Sequence, residues 1–317
     1  MQTTPLGSTG IEVSRLSMGT ATFGAQSDER ASFAILDACA AAGVNLIDTA
    51  NVYPLGSAAA DRGASERIVG AWLQGRRQHF IVASKGGAKM GHSPGEQGNS
   101  RQHLLDAVDA SLKRLGTDYL DLYQLHVPCD VTPIEETLSA LTNLVHQGKV
   151  RYLGCSNVAA WQIADADWTA RTAGLERFVS VQNRYTLLDR ELEDEVVPAC
   201  ETFGLGVLPY FPLEYGLLTG KYTRGSAAPA GSRAALDPDR SQWLAEADWD
   251  RIEALTAYAG ARDLSILDVA IAGLAAQPAV GSVIAGVTSG EQVRANAAAV
   301  RWEPTPADLV ELDDLTG

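Results

Sequence analysis

Phe80-Ile-Val-Ala-Ser-Lys85, the stretch Arg101–Leu115, and Tyr119-Leu-Asp-Leu-Tyr-Gln-Leu-His126 together decide the fold. The outer two segments are apolar nearly throughout, as parallel strands covered on both faces are. Between them Leu104, Val108 and Leu112 recur at helical spacing. This is a strand–helix–strand unit, and the pattern repeats outward in both directions. Strands are expected at Leu16–Thr20, Val44–Asp48, Phe80–Lys85, Tyr119–His126, Val150–Ser156, Phe178–Gln182, Gly206–Tyr210 and Ser282–Ala285. Helices are expected at Ala31–Ala42, Arg101–Leu115, Pro133–Gln147 and Glu191–Phe203. Most strand-to-strand intervals are about 30 residues, the length of a right-handed βαβ crossover.

Eight such units predict an α/β fold, a closed (β/α)8 TIM barrel. An open doubly wound sheet is the alternative, and it carries a G-x-G-x-x-G turn after its first strand. Gly19-Thr-Ala-Thr-Phe-Gly24 has the wrong spacing for that turn and no helix directly behind it. Residues Thr3–Arg15, with a turn at Gly7-Ser-Thr-Gly10, read as a β-hairpin that plugs the end of the barrel opposite the site. Long loops are expected at Asn51–Gly63, Gly86–Ser100 and about Phe211–Glu246, all after strand C-termini, where barrel enzymes keep their chemistry.

The 317-residue chain has 46% hydrophobic and 20% charged residues and a net charge of −14. Its longest basic cluster is Arg76-Arg77. An acidic chain without a basic patch is not expected to bind nucleic acid or anionic membranes. No apolar run approaches the roughly 18 residues of a membrane span, and Met1-Gln-Thr-Thr-Pro lacks the features of a signal peptide. Cys39, Cys129, Cys155 and Cys200 are scattered with no metal-ligand spacing, so reduced thiols, a cytoplasmic location and no metal are expected.

Val44-Asn-Leu-Ile-Asp48 ends in a carboxylate, with Tyr53 five residues on. Its neighbours end in Lys85 and His126. Each residue has a plain reading alone: a helix cap for Asp48, a surface lysine, a satisfied core histidine. Three polar closures on neighbouring strands point instead to one site. Tyrosine, with a reference pKa of about 10, is a poor acid near neutrality. A neighbouring ammonium favours its phenolate, a carboxylate holds that ammonium, and a neutral histidine orients a carbonyl oxygen. Such a set suits carbonyl reduction.

At these residues the chain resembles the aldo-keto reductase superfamily, over nearly its whole length. Asp48-Thr-Ala-Asn-Val-Tyr53 matches the family's Asp-x-Ala-x-x-Tyr, and Lys85 and His126 complete its catalytic tetrad. Gly154-Cys-Ser-Asn157 matches Gly-x-Ser-Asn, although that is also a common turn. The resemblance implies one barrel domain over residues 1–317 and NADPH as cofactor, with NADH the less expected choice. It places Ser156, Asn157 and Gln182 at the nicotinamide carboxamide and Tyr210 stacked on the ring. Gly19, Thr20 and Asp48 join them at that end. Phe211, Pro212, Leu213, Gly216 and Lys221 belong to the loop that covers the pyrophosphate, with Arg233 a further phosphate contact. Gly286, Ser289, Gln292 and Asn296 serve the adenosine phosphate.

Ser289-x-x-Gln292 also reads as a helix capping box. Around it the chain departs from the Pro-Lys-Ser, Arg and Glu of many reductases. Ala285, Gly286, Val287, Gln292 and Ala295 stand there instead, with Arg294 a source of positive charge. Glu214, unfavourable beside a pyrophosphate, is expected to point to solvent. Phe23, Tyr53, Lys89, Met90, Pro128 and Trp243 are candidate pocket residues. The short tail after Arg301 suggests a pocket open to bulky polar substrates such as sugars. The expected partner is a small carbonyl or alcohol. The alternatives are a non-catalytic NADPH-binding regulatory subunit and a deoxysugar ketoreductase; oligomeric state is left open.

Overall fold

After an antiparallel hairpin of β1 (Thr3–Pro5) and β2 (Glu12–Ser14) come eight strands. They are β3 (Leu16–Gly19), β4 (Leu46–Asp48), β5 (Ile81–Gly86), β6 (Leu120–Leu125), β7 (Val150–Ser156), β8 (Phe178–Gln182), β9 (Gly206–Val207) and β10 (Val283–Gly286). The computed structural model describes residues 1–317 except Ser57, His92, Gly231 and Asp237, and except the side chains of Pro94, Arg233, Leu236 and residues 238–241. The eight strands are parallel, in the order β10-β3-β4-β5-β6-β7-β8-β9. The ring closes where Val207 N–H donates to Ala279 O (2.7 Å) and Ile284 N–H to Pro209 O (2.9 Å). This is the expected (β/α)8 barrel.

Helices α1 (Glu29–Ala42), α2 (Ala64–Trp72), α3 (Arg101–Leu115), α4 (Ile134–His146), α5 (Ala160–Ala173) and α6 (Leu192–Phe203) alternate with the strands. Between β9 and β10 lie α7 (Arg233–Leu236), α8 (Pro238–Ala245), α9 (Trp249–Gly260) and α10 (Ile266–Ala275). After β10 come α11 (Gly290–Ala299) and α12 (Pro306–Thr316). Local chemistry sets the ends: Asp28 caps α1 by accepting from Ala31 N–H (2.8 Å), and Gly43, at φ 79°, terminates it.

Three expected boundaries shift for stated reasons. Val44 is not in the strand, because its N–H closes the end of α1 on Cys39 O, and Asn45 is engaged by the hairpin through Ser14 and Glu12. The strand expected at Gly206–Tyr210 stops at Val207, because Pro209 has no N–H to donate. Beyond it pairing continues only as isolated bridges, from Tyr210 to Arg184 on one side and to Ile284 on the other. The segment expected as a loop over 211–246 instead carries a 3-10 stretch at Glu214–Thr219 and helices α7 and α8. Leu217, Leu218, Tyr222 and Leu244 anchor it in an apolar cluster with α9, α10 and Leu312 of α12.

The hairpin does close the bottom of the barrel. Leu6 is fully buried in a cluster with Val13, Leu46, Ala83, Leu122, Leu208 and Ile284. Gly7, at φ 58°, lies so close to the strand starts that a Cβ would sit 2.6 Å from Gly204 O and 2.7 Å from Val179 O. Only glycine permits that approach. With the bottom filled by hydrocarbon, polar residues gather in the upper layer. Leu6→Ala should leave a cavity under the barrel and cost about 2–5 kcal/mol, read as a lower urea midpoint at unchanged slope.

Candidate active site

Ladder register brings the polar strand ends together. Asp48 pairs with Gly19 on one side and Ala83 on the other, and Lys85 pairs with Gln124. With a side-chain period of two, Ala83 and Lys85 face the barrel axis, as do Gln124 and His126. Lys85 is completely buried, and its ammonium donates to Asp48 Oδ2 (2.6 Å), Thr49 O (2.9 Å) and Tyr53 OH (3.3 Å). Three donors meet three acceptors, so no ammonium hydrogen is wasted. Tyr53 comes from the loop after β4, held where its carbonyl accepts from Gly63 N–H (3.0 Å). The His126 ring stands edge-on to it with centroids 5.7 Å apart.

The electrostatics divide the roles. Burial alone pushes the Lys85 pKa down, but Asp48 and then Tyr53 outweigh it, and the net direction is up. The lysine is therefore a fixed cation. Burial also pushes the Tyr53 phenol up, and Lys85 pulls it down without prevailing, with Asp48 adding to the rise. The ammonium acts on the phenol in the expected direction, but burial outweighs it, and Asp48 adds to the rise. Burial, then Lys85, drives the His126 imidazolium down to about 3, so the ring is neutral. Its Nδ1 is enclosed without a hydrogen-bond partner. The tautomer with the proton on Nε2 avoids a buried orphan N–H and leaves a donor for a carbonyl oxygen.

A second group adjoins this one. Ser156 pairs with Gln182 across β7 and β8, and Ser156 Oγ donates to Gln182 O (2.6 Å). Asn157 Nδ2 donates to His126 O (2.9 Å), and Tyr210 OH donates to Asn157 Oδ1 (2.7 Å). Gln182 Nε2 donates to Asp48 Oδ1 (2.9 Å), so both groups share one network. Gly19 and Gly286 are register partners at the barrel lip, presenting bare backbone there. Amides, a half-buried phenol ring and a side-chain-free lip fit a nicotinamide ring and its carboxamide.

The remaining expected cofactor contacts are placed less uniformly. Thr20 turns away, its hydroxyl donating to Asp48 O (3.0 Å) and accepting from Ser65 (2.7 Å). Phe211 stacks with Tyr210 and Tyr215 at centroid distances of 5.1 and 4.7 Å, Pro212 is buried and Leu213 half-buried. Gly216, at φ 102°, makes room for Lys221, whose Nζ would lie 2.7 Å from a Cβ there. Arg233 begins α7, and its side chain lies outside the described residues. Ser289 caps α11 by accepting from Gln292 N–H (3.3 Å), but Gln292 Oε1 reaches back to Thr288 N–H (2.8 Å) and not to that of Ser289, so only half of the capping box is formed. Asn296 is buried beside Ser17 and Met18 and not on the exposed rim with Gln292.

Glu214 does not point to solvent. It is buried, and Arg184 Nη2 donates to its Oε1 at 2.6 Å. Trp243 packs edge-on to Tyr215 with centroids 5.3 Å apart. Phe23, fully buried in the main core, is no pocket wall. The readings missed Gln124, Arg184, Leu55 and Val127. Gln124 had a signal, as the one amide inside a strand otherwise read as buried. Leu55 and Val127, 50% and 37% exposed beside Tyr53 and His126, had none.

A model of the aldo/keto reductase family matches residues 15–316. The chain belongs to the aldo/keto reductase family. It is 35% identical to Protein tas of Escherichia coli (strain K12), over 96% of this chain and 94% of that protein. It is 37% identical to a probable voltage-gated potassium channel subunit beta of Oryza sativa subsp. japonica, over 93% and 90%. To an NADH-specific methylglyoxal reductase of Escherichia coli (strain K12) it is 33% identical, over 99% and 98%. This aldo/keto reductase is an oxidoreductase of that family, and among its described residues no helix is long and apolar enough to cross a membrane.

In this aldo/keto reductase the buried ion pair also carries stability. Lys85→Met should cost about 3–5 kcal/mol in denaturant unfolding, because Asp48 keeps an unpaired buried charge. The double variant Asp48→Asn/Lys85→Met should lose less than the sum of the two single losses.

Proposed function

We propose that this aldo/keto reductase reversibly reduces an aldehyde or ketone with NADPH, Tyr53 donating the proton to the carbonyl oxygen. The observation that carries this reading is the fully satisfied Lys85 ammonium held between Asp48 and the Tyr53 hydroxyl. Tyr210, Ser156, Asn157 and Gln182 would hold a reduced nicotinamide, which when bound would supply the hydride. Neutral His126 orients the carbonyl oxygen through Nε2, next to the phenol. With its pKa pushed up by burial, Tyr53 keeps its proton at neutral pH, the state from which the reductive step starts.

The choice of NADPH over NADH is supported by exposed Lys221, and by Arg294 near the start of α11. The four free cysteines, three of them buried, fit the reducing cytoplasm. Leu55 and Val127, exposed hydrophobic residues close to Tyr53 and His126 in the chain, favour a carbonyl bearing an apolar group over the sugar expected from the short tail. The similarity to a channel subunit beta favours a second reading, a regulatory subunit that binds cofactor without turnover.

Following absorbance at 340 nm with NADPH and NADH, over apolar and hydroxylated aldehydes and ketones, separates these readings. Turnover with NADPH is expected, with the higher kcat/KM on apolar substrates; tight cofactor binding without turnover supports the regulatory subunit. Tyr53→Phe should lower kcat at least about 100-fold while leaving the cofactor dissociation constant within about threefold. Full activity in that variant removes the assignment.

The pH profile follows from the same directions. Reduction needs neutral His126 and protonated Tyr53. His126 loses its charge near pH 3, and the raised phenol keeps its proton past the ordinary tyrosine range. The reductive kcat/KM should be flat from about pH 5 to about pH 9.

A further inference from the structure

Gln124 is fully buried on β6, directly beside Lys85 in the ladder. Its Nε2 donates to Asp48 Oδ1 (3.2 Å), the carboxylate oxygen that Lys85 does not use. Gln182 Nε2 donates to that oxygen (2.9 Å) and also to Gln124 Oε1 (3.3 Å). Both N–H groups of Gln182 are thereby committed, and its carbonyl oxygen is what it presents to a ligand. Space for this arrangement is built in. Gly154, the register partner of Gln124 on β7, would as alanine place its Cβ 3.0 Å from Gln124 Cγ and 2.5 Å from Ser180 Oγ.

We infer that Gln124 is a positioning residue for the reaction. It pins Asp48 Oδ1 so that Oδ2 stays on the ammonium. Without the Gln124 donor, Gln182 alone restrains Oδ1, and the carboxylate turns towards sharing both oxygens with Lys85, which draws the ammonium off the phenol. The inference rests on Tyr53 as the proton donor. The charged and titratable groups facing that phenol are Lys85, Asp48, His126 and Tyr210.

The test is a double-mutant cycle with the full-length protein, after wild-type turnover has been established. Gln124→Leu should lower kcat about 10- to 100-fold, the weight of a hydrogen bond to a charged group, with KM changed less than about threefold. In the Asp48→Ala background, where no side-chain oxygen is left for Gln124 to hold, the same substitution should change kcat less than about twofold. An equal fall in both backgrounds overturns the proposal, as does wild-type kcat in Gln124→Leu. Should the leucine variant not fold, Gln124→Met, of similar length, enters the same cycle with the same expected and overturning results. If the wild type shows no turnover, the reading of Tyr53 fails first. Gln124 is then read from tyrosinate absorbance against pH, as the difference between each protein and its Tyr53→Phe variant. A displaced Tyr53 titration in Gln124→Leu supports the positioning role, and an unmoved one overturns it.

Discussion

A lysine ammonium with no exposure to water is the constraint on which the upper half of this barrel depends. Lys85 can be charged there only because Asp48, Thr49 and Tyr53 each accept one of its hydrogens. That requirement reaches into the fold. Asp48 must end β4, Lys85 must lie near the end of β5, and the ladder between them must hold the register that turns both inward. A slip of one residue would turn Lys85 out among the helices. The hydrocarbon plug of Leu6 and its neighbours below keeps the polar layer at one end of the barrel.

Burial, with Asp48 beside the ammonium, explains why the tyrosine keeps its proton. A lone ammonium beside a phenol draws out phenolate, but an ammonium already neutralised by a carboxylate does so only weakly, and burial works the other way. The site as built holds a proton donor, a fixed cation and a neutral imidazole side by side. Each takes its state from the groups around it.

Charge is managed in the same way at the roof. An acidic residue in a loop next to an anion-binding surface is unfavourable when solvated and free to turn. Glu214 instead folds inward onto Arg184, in a backbone stretch where Phe211, Glu214, Tyr215 and Gly216 all have positive φ. The ring contacts from Tyr210 through Phe211 and Tyr215 to Trp243 carry that stretch outward to α8. It is held at both ends, by an ion pair and by packing.

The sequence alone determined the alternation of strands and helices, the barrel, the hairpin plug, and the four residues Asp48, Tyr53, Lys85 and His126. Hydrophobic period and the cost of burying a charge are local properties, written into stretches such as Val44–Asp48 and Phe80–Lys85. Pro209 was legible in the same way and was overlooked as the break that shortens β9. Only the tertiary structure decided which way Glu214 turns, that Phe23 is core and not pocket, and that Asn296 is buried. It also decided that Gln124 meets Asp48 and Gln182, residues 76 and 58 positions away in the chain. Those outcomes depend on contacts between strands and loops far apart in the chain, whose partners no local pattern names.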